Sequence, residues 1–230
     1  MKGFILAGGL GTRLRPLTYE IPKTMIPIKG KPVLQYNIEL LKRYGIKEIV
    51  LGIGYMGEKI KEYFGDGKKF GVKIHYSEEK EPLGTAGALK LAGRFFKSTF
   101  VMCNGDELKN INIKRMVEFH KKHKPLATIS LKKIDNPSEW GVVRMEDKKI
   151  VEFVEKPKNN PPSHFINSGL YIMEPEVINM IPNGNVSIEK NIFPILAKKG
   201  ELFGYFSRGQ WFPIDTKERL DKAVKYWKGF

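Results

Sequence analysis

The segment of the sequence best suited to chemistry is a glycine-rich loop at residues 6–14 (LAGGLGTRL), directly after a short apolar run. Glycines let the backbone approach a phosphate closely and point its N–H groups at it. Thr12 adds a hydroxyl and Arg13 a planar guanidinium that suits phosphate oxygens. A Walker A loop would end in Lys-Ser or Lys-Thr, which is missing here. The loop therefore predicts a triphosphate site of another kind, and a purely structural tight turn, the alternative, leaves Arg13 unexplained.

A second glycine pattern, Gly52-x-Gly54-x-x-Gly57, matches the dinucleotide-binding fingerprint in form. It follows a predicted strand and opens a predicted helix, as that fingerprint does. A lone pattern of this kind is a weak signal, and the first strand already carries the better loop. We therefore expect no nucleotide site of its own at this pattern.

Other chemical side chains follow predicted strands, where ligands of open α/β sheets bind. Asn104-Gly105-Asp106 follows the fourth strand, and a carboxylate there suits a hard cation bound by one or two carboxylates and phosphate oxygens. Asp106 is therefore the first predicted Mg²⁺ ligand, with an ordinary turn as the alternative. The segment 78–87 (EEKEPLGTAG) follows the third strand. The four histidines form no H-E-x-x-H motif, and no Ser-His-Asp or Cys-His arrangement is indicated.

The elements that must position these residues alternate over the first half of the chain. Predicted strands lie at 3–6, 47–51, 72–76 and 99–103, and predicted helices at 33–44, 57–64, 84–96 and 112–123. Such alternation is typical of βαβ units. We therefore predict an α/β fold with a three-layer, Rossmann-like, mostly parallel sheet.

The second half of the chain is richer in strands. They are predicted at 126–134, 165–173 and 201–206 and in a hairpin of 141–146 and 149–155 that turns at Asp147-Lys148, with helices at 174–181, at 187–199 and from 216. No repeat and no long linker separates the halves. We predict a single domain over 1–230, divided into halves 1–125 and 126–230.

Composition limits the class of protein. The 40 basic and 25 acidic residues give a net charge of +15, which would suit a nucleic-acid binder, but Lys and Glu alternate along most of the chain and favour a solvated surface. A single cysteine, Cys103, excludes an intrachain disulfide. No secretory signal and no membrane span is recognisable. We expect a cytoplasmic protein that binds neither nucleic acid nor membrane.

Several motifs together resemble one enzyme family. They are LAGGLGTRLRPLT, PKTMIPIKGKPVLQY, EPLGTAGAL, NGD, WGVV, EKP and INSGLY, in this order within residues 4–173. The pattern resembles the sugar-1-phosphate nucleotidyltransferases, in particular the mannose-1-phosphate guanylyltransferase and glucose-1-phosphate thymidylyltransferase branch. The resemblance implies the GT-A-like catalytic domain of this family, without the C-terminal β-helix of longer members.

The resemblance also implies an Mg²⁺-dependent reaction. A sugar 1-phosphate would attack the α-phosphorus of an NTP and release pyrophosphate. The first half would then be the nucleotide-binding half and the second the sugar-phosphate-binding half. Catalytic groups would be Arg13 and Lys23. Nucleotide-binding residues would be Leu6, Ala7, Gly8, Gly9, Gly11, Thr12, Glu79, Gly84 and Thr85, and sugar-phosphate-binding residues would be Asn104, Gly141, Glu155, Lys156 and Asn167.

One segment departs from the family pattern Trp-x-Asp-Ile-Gly-Thr. Pro213 occupies the usual aspartate position in Trp211-Phe212-Pro213-Ile214-Asp215-Thr216. In an extended segment a shift of two residues keeps the same face, so we assign Asp215 as the second metal ligand, with Asp106 alone as the alternative.

Base and sugar are less constrained than the reaction. Glu79 lies where the family reads the base; a carboxylate only accepts hydrogen bonds, which suits guanine or the amino group of cytosine. GTP is therefore favoured, with thymidylyl, uridylyl or cytidylyl transfer as alternatives and mannose, glucose or a heptose as the sugar. A non-catalytic subunit that binds an NDP-sugar is a further alternative, and the sequence leaves open whether the protein is a homo-oligomer.

Overall fold

The computed structural model describes all residues from 1 to 230 and divides them into two compact units. The first unit comprises Met1–Pro82, Met102–Ile111 and Gly209–Phe230, and the second comprises Leu83–Val101 and Asn112–Arg208. No helix combines the length and the apolar character that a membrane span requires.

The chain forms 13 strands and seven α-helices. The strands are β1 (Gly3–Leu6), β2 (Pro27–Ile28), β3 (Lys31–Pro32), β4 (Glu48–Ile53), β5 (Lys73–Glu78), β6 (Phe100–Asn104), β7 (Glu107–Lys109), β8 (Ala127–Lys133), β9 (Gly141–Glu146), β10 (Lys149–Glu155), β11 (Phe165–Met173), β12 (Leu202–Phe206) and β13 (Trp211–Pro213). The α-helices are α1 (Val33–Arg43), α2 (Gly57–Phe64), α3 (Gly84–Leu91), α4 (Ile113–His123), α5 (Glu176–Asn179), α6 (Phe193–Lys198) and α7 (Lys217–Tyr226).

The first unit is built on parallel strands, as the sequence predicts. β4 lies between β1 and β5 and pairs in parallel with both. These strands are short apolar runs such as EIVLGI of β4, which is buried on both faces along most of its length. A run buried on both faces is typical of parallel strands covered by helices. The carboxyl ends of β1 and β4 therefore lie side by side, which brings the loops that follow them together.

A second, smaller ladder in the first unit joins distant parts of the sequence. β7 and β13 pair in antiparallel fashion, with Trp211 opposite Lys109 and Pro213 opposite Glu107. One face of this ladder contributes to an apolar cluster that includes Leu108, Ile214 and Trp227, and α7 packs against β13. Neither strand was predicted from the sequence.

The second unit corrects the prediction of a mostly parallel sheet. Its strands lie in the order β11-β8-β12-β10-β9. β8 and β12 pair in parallel, whereas β11 with β8, β10 with β12 and β9 with both β10 and β11 pair in antiparallel fashion. The sheet arrangement of the chain is therefore mixed. A two-residue turn such as Asp147-Lys148, where Asp147 has a φ of +53°, can only join antiparallel strands.

Predicted helices in the second unit are longer than the observed ones. The helix predicted at 84–96 ends at Leu91 and is followed by a 3-10 turn that begins at Gly93. The helix predicted at 174–181 covers Glu176–Asn179 only. At 187–199 a π-helical turn, Ile188–Ile192, precedes α6. Pro194 in the first turn of α6 lacks the N–H that an uninterrupted helix would need, which gives a physical reason for the interruption.

Candidate active site

The glycine-rich loop after β1 is shaped by one residue with a left-handed backbone. Gly11 has a φ of +64° and precedes the 3-10 turn Thr12–Leu14. Thr18 Oγ1 donates to the Gly11 carbonyl at 2.8 Å. A Cβ on Gly11 would lie 2.9 Å from Thr18 Cγ2 and 3.1 Å from Lys23 Cβ. The loop therefore requires glycine here, and Lys23 packs directly against it.

The second glycine pattern supports the first loop. Ala7 N donates to the Gly52 carbonyl at 2.7 Å, and Tyr55 N donates to the Gly8 carbonyl at 3.3 Å. A Cβ on Gly8 would lie 3.1 Å from Gly54 N. The two loops are therefore in backbone contact, which explains glycine in both.

Glu79 lies against this pair of loops. A Cβ on Gly8 would meet Glu79 Oε1 at 2.5 Å, and one on Gly54 would meet the same atom at 2.9 Å. Glu79 N donates to the Ile53 carbonyl at 2.9 Å, which fixes the start of its side chain. The structure thus places the predicted base-reading carboxylate beside the predicted phosphate loop.

Lys23 and Asp106 form an ion pair between Lys23 Nζ and Asp106 Oδ2. Burial would lower the pKa of Lys23, but the charge and hydrogen bond of Asp106, together with Asp215 and Glu107, raise it overall. Burial would likewise raise the pKa of Asp106, but Lys23 and Lys109 hold it below its ordinary value. The lysine is thus kept as a cation and the aspartate as an anion, the states that phosphate and metal binding need.

Asp215 is bound by two arginines. Its Oδ2 accepts from Arg13 Nη1 at 2.8 Å, and Arg219 Nη1 lies 2.8 Å from Oδ1 and 2.9 Å from Oδ2. The strand β13 ends at Pro213, so the period-two argument for Asp215 does not apply. Ile214 N instead donates to the Asp106 carbonyl at 3.1 Å. This bond ties the residue before Asp215 to the backbone of Asp106.

A divalent cation fits this group of residues in charge and ligand type. No cluster of three or more His, Cys, Asp or Glu side chains is present, but Mg²⁺ commonly takes only one or two carboxylates and completes its shell with water and substrate phosphates. Asp106 and Asp215 both act electrostatically on Lys23. Asp106 fits as a ligand and is paired with Lys23 through Oδ2, whereas both carboxylate oxygens of Asp215 accept from arginines.

Two of the predicted nucleotide-binding residues, Gly84 and Thr85, lie in the second unit. A Cβ on Gly84, whose φ is +71°, would meet the Val186 carbonyl oxygen at 2.6 Å. Thr85 Oγ1 donates to Glu189 Oε2 at 2.7 Å and accepts from Ile188 N at 2.8 Å. The hydroxyl of Thr85 is thus engaged within its own unit. Glu189 was not among the predicted site residues.

The predicted sugar-phosphate residues of the second unit converge at the end of the β9–β10 hairpin. Gly141 is opposite Glu155, and a Cβ on it would lie 2.8 Å from Glu155 Oε2. Lys156 Nζ lies 3.9 Å from Glu155 Oε1. Burial and the negative charge of Glu189 raise the pKa of Glu155. Glu155 and Lys156 therefore offer hydrogen-bonding and cationic groups, and Gly141 allows the Glu155 carboxylate to lie where a Cβ would clash with it.

Asn167 and Asn104 are held by internal hydrogen bonds. Asn167 lies at a bulge in β11, donates from Nδ2 to Tyr171 Oη at 2.9 Å and accepts from Gly169 N at 2.9 Å. Asn104, in the first unit, donates from Nδ2 to Glu107 Oε1 at 3.0 Å. Neither Glu107 nor its partner Lys109 was predicted as a site residue, and no strand was predicted at Glu107–Lys109.

A family model described as nucleotidyl transferase matches residues 2–228. The chain belongs to this family. A match over nearly the full sequence includes both the glycine-rich loop and the β9–β10 hairpin. The family generally uses a divalent metal, in agreement with the carboxylates of the site.

The named relatives of this chain include mannose-1-phosphate guanyltransferases. A mannose-1-phosphate guanyltransferase beta-B of Xenopus laevis is 42% identical over 220 residues, which are 93% of this chain and 61% of that protein. The chain spans 61–64% of the length of such curated relatives. The mannose-1-phosphate guanylyltransferase branch that the motifs resemble is thus also found among the relatives that are similar over most of this chain.

Solved structures show the same fold. A structure from Bacillus anthracis, described as a glucose-1-phosphate thymidylyltransferase in complex with sucrose, superposes with a TM-score of 0.90 at 31% identity, over 97% of this chain and 94% of that one. HddC from Yersinia pseudotuberculosis, complexed with GMP-PN, gives a TM-score of 0.82 at 29% identity, over 99% of each chain. The mixed α/β architecture is therefore that of a nucleotidyltransferase.

Proposed function

We propose that this nucleotidyl transferase transfers a guanylyl group from GTP to mannose 1-phosphate and releases pyrophosphate. Guanylyl transfer to mannose 1-phosphate is what the name of the 42% identical Xenopus laevis relative states. A guanine nucleotide, GMP-PN, occupies the similar HddC structure. The observation that carries the proposal is the Lys23–Asp106 ion pair, with Lys23 packed against Gly11 of the glycine-rich loop.

The reaction needs charge neutralisation more than proton transfer. A phosphate monoester has a second pKa of about 6 and is already an anion near pH 7, so no general base is required. One of its oxygens forms a bond to the α-phosphorus of GTP while the bond from that phosphorus to the β-phosphate oxygen breaks. The electron pair leaves with pyrophosphate. Arg13 and Lys23 would balance the negative charge on the phosphates, which is the main catalytic contribution in phosphoryl-type transfer.

The proposed cofactor is Mg²⁺, held by Asp106. When bound, it would neutralise charge on the triphosphate and orient it. Asp106 contributes an anionic oxygen that Lys23 and Lys109 keep deprotonated. The role of Asp215 is either a second ligand or support for the guanidinium of Arg13, to which it is bonded.

Residues of each unit are proposed to recognise a different part of the substrates. In the first unit Glu79 would accept hydrogen bonds from N1–H and the amino group of guanine. In the second unit Glu155 would bind sugar hydroxyls and Lys156 the phosphate.

A three-layer arrangement, a cytoplasmic location and the absence of nucleic-acid partners belong to the same proposal. Mixed-sign patterning along the chain supports the last of these.

The test is pyrophosphate release from mixtures of each of four NTPs with mannose 1-phosphate or glucose 1-phosphate, with Mg²⁺ or EDTA. We expect GTP with mannose 1-phosphate to be the preferred pair and EDTA to abolish the rate. Asp106→Asn and Lys23→Met should each lower kcat by roughly 100-fold or more, because each removes a charge aimed at the phosphates. Asp221→Asn, an exposed change on α7, is the matched control and should leave the rate unchanged.

Asp215→Asn separates the two roles of Asp215 in the same assay. Loss of a metal ligand would raise the Mg²⁺ concentration at half-maximal rate. Loss of support for Arg13 would lower kcat at an unchanged Mg²⁺ dependence. If another NTP or another sugar 1-phosphate is preferred, that pair replaces GTP and mannose 1-phosphate as the proposed substrates.

A non-catalytic subunit that binds an NDP-sugar is the second candidate function. The observation that favours it is the engagement of both Asp215 carboxylate oxygens by arginines, at the place where Pro213 replaces the usual aspartate. Binding of GDP-mannose without pyrophosphate release from any pair would establish this second candidate and contradict the first.

A further inference from the structure

Two oppositely charged side chains are buried directly after Asp106. Lys109 is 1% exposed and Glu107 is 7% exposed, and Lys109 Nζ lies 3.1 Å from Glu107 Oε2. Burial of such charges is costly, and an apolar pair of similar size often stabilises a fold equally well or better. The proposed reaction gives neither residue a role. Stability alone is therefore a weak reason for an ion pair at this place.

The pair is bonded to the residue at the other end of the Asp106 turn. Asn104 Nδ2 donates to Glu107 Oε1 at 3.0 Å, and Lys109 Nζ donates to the Asn104 carbonyl at 3.1 Å. Trp211 Nε1 donates to Glu107 Oε2 at 2.9 Å. Residues 104–107 thus form a turn that is closed by side-chain bonds at both ends, with Asp106 inside it.

The backbone of the turn is fixed as well. Gly105 N donates to the Leu6 carbonyl at 2.9 Å. Asn37 Nδ2, which is buried, donates to the carbonyls of Gly105 at 3.3 Å and Glu107 at 3.0 Å. These bonds fix the backbone at Gly105 and Glu107, while the Glu107–Lys109 ion pair is bonded to Asn104 at the other end of the turn. Lys109 also contributes positive potential at the Asp106 carboxylate.

We propose that Glu107 and Lys109 are positioning residues that hold the Asp106 carboxylate where the cation of the reaction binds. This inference rests on the proposed function for the role of Asp106, but not for the ordering of the turn. Groups that orient a metal ligand through hydrogen bonds change metal affinity or activity by about 10- to 100-fold when removed. An effect of that size is expected here.

The test compares Lys109→Met and the double variant Glu107→Gln/Lys109→Met with the wild type. The double variant removes both charges, so it leaves no unpaired buried ion if the single variant fails to fold. Thr99→Val, which removes the hydrogen bonds of Thr99 to Glu174 in the second unit, is the control for loss of stability away from the turn. Amide hydrogen exchange is followed by mass spectrometry for peptides covering 102–111, and the Mg²⁺ concentration at half-maximal pyrophosphate release is measured in parallel.

We expect faster exchange in 102–111 and an Mg²⁺ requirement raised about 10-fold in the Lys109 variants. Excess Mg²⁺ should recover part of their rate. Thr99→Val should lower the unfolding temperature with both readouts unchanged. A double variant with wild-type exchange and Mg²⁺ requirement would overturn the inference, as would a variant that loses only thermal stability. If the wild type releases no pyrophosphate, the proposed function fails, while the exchange measurement still decides whether the pair orders the turn.

Discussion

Gly11 is the residue at which backbone conformation and the candidate chemistry are most directly linked. Its φ is +64°, and a Cβ there would lie 2.9 Å from Thr18 Cγ2 and 3.1 Å from Lys23 Cβ. An alanine therefore meets both a backbone penalty and a steric one. The steric clash would displace Lys23, whose ion pair with Asp106 depends on the position of the lysine.

We predict that Gly11→Ala lowers the free energy of unfolding by about 1–2 kcal/mol, the usual cost of a left-handed conformation for a residue with a Cβ. Denaturant-induced unfolding measures it. Gly9→Ala is the matched control, because a Cβ on Gly9 would meet no atom within 4 Å, and its unfolding midpoint should equal that of the wild type. Equal stability of the two variants would contradict the structural account of Gly11.

At the scale of elements, a buried histidine connects α4 to the strands of the second unit. His120 Nδ1 lies 2.8 Å from Thr128 Oγ1 of β8, and Nε2 lies 3.0 Å from Glu174 Oε1, just after β11. His120 is 1% exposed. Burial lowers the pKa of His120, although Glu174 acts in the opposite direction. The folded protein therefore binds a proton here less readily than the unfolded chain does.

We predict that this histidine makes the protein less stable in acid. Because the folded pKa is the lower one, the contribution is complete above the unfolded pKa of about 6.5 and is lost as the pH falls through the folded pKa. Unfolding temperatures measured from pH 7.5 downward should show a decline that is smaller in His120→Asn. His164→Asn, which changes an exposed histidine, should keep the wild-type slope. An identical slope in His120→Asn would refute the assignment.

The elements that the sequence predicts best are those with a local signal. β1, α2, the β9–β10 hairpin and β11 have the predicted bounds, because apolar periodicity and turn residues lie within each segment. The β7–β13 ladder was not predicted, since each strand has three residues and the two are about 100 residues apart. Lys109 lies in that ladder and is buried. The ion pair of Glu107 and Lys109 beside Asp106 could therefore not be inferred from the spacing of residues in the sequence.

The candidate site was predictable to the extent that its residues follow strands. The rule that ligands bind beyond the carboxyl ends of strands selected both the glycine-rich loop and Asp106, and the structure places Lys23 in contact with both. The bonds of Asp215 to Arg13 and Arg219 were not predicted. The bond to Arg13 joins residues that are 202 positions apart in the sequence, and no local pattern specifies such a contact.

At the scale of the whole molecule, the last part of the chain completes the core of the first unit. Trp227 is 1% exposed and belongs to an apolar cluster with Leu108 and Ile214. Its ring contacts Tyr36 and Phe230 edge-on. The C-terminal helix is thus packed against residues that are distant in sequence.

We predict that Trp227→Ala lowers the free energy of unfolding by about 3–5 kcal/mol, the usual cost of removing a buried large aromatic side chain. Tyr226→Ala, one residue earlier and 52% exposed, should change it by less than about 0.5 kcal/mol. Both are measured by denaturant titration. A small effect of Trp227→Ala would show that the last residues are dispensable for the first unit.

The division of the first unit into three chain segments has a consequence for the newly made protein. Segments Met1–Pro82 and Met102–Ile111 leave the ribosome well before Gly209–Phe230, whereas domains usually fold as units in the order of synthesis. The partner strand of β7 and both Asp215 and Trp227 are translated after these two segments and after residues 112–208. The nascent chain therefore carries an unfinished apolar surface while residues 112–208 are made, and a ribosome stalled before residue 209 would hold a product with every predicted nucleotide-binding residue and no finished first unit.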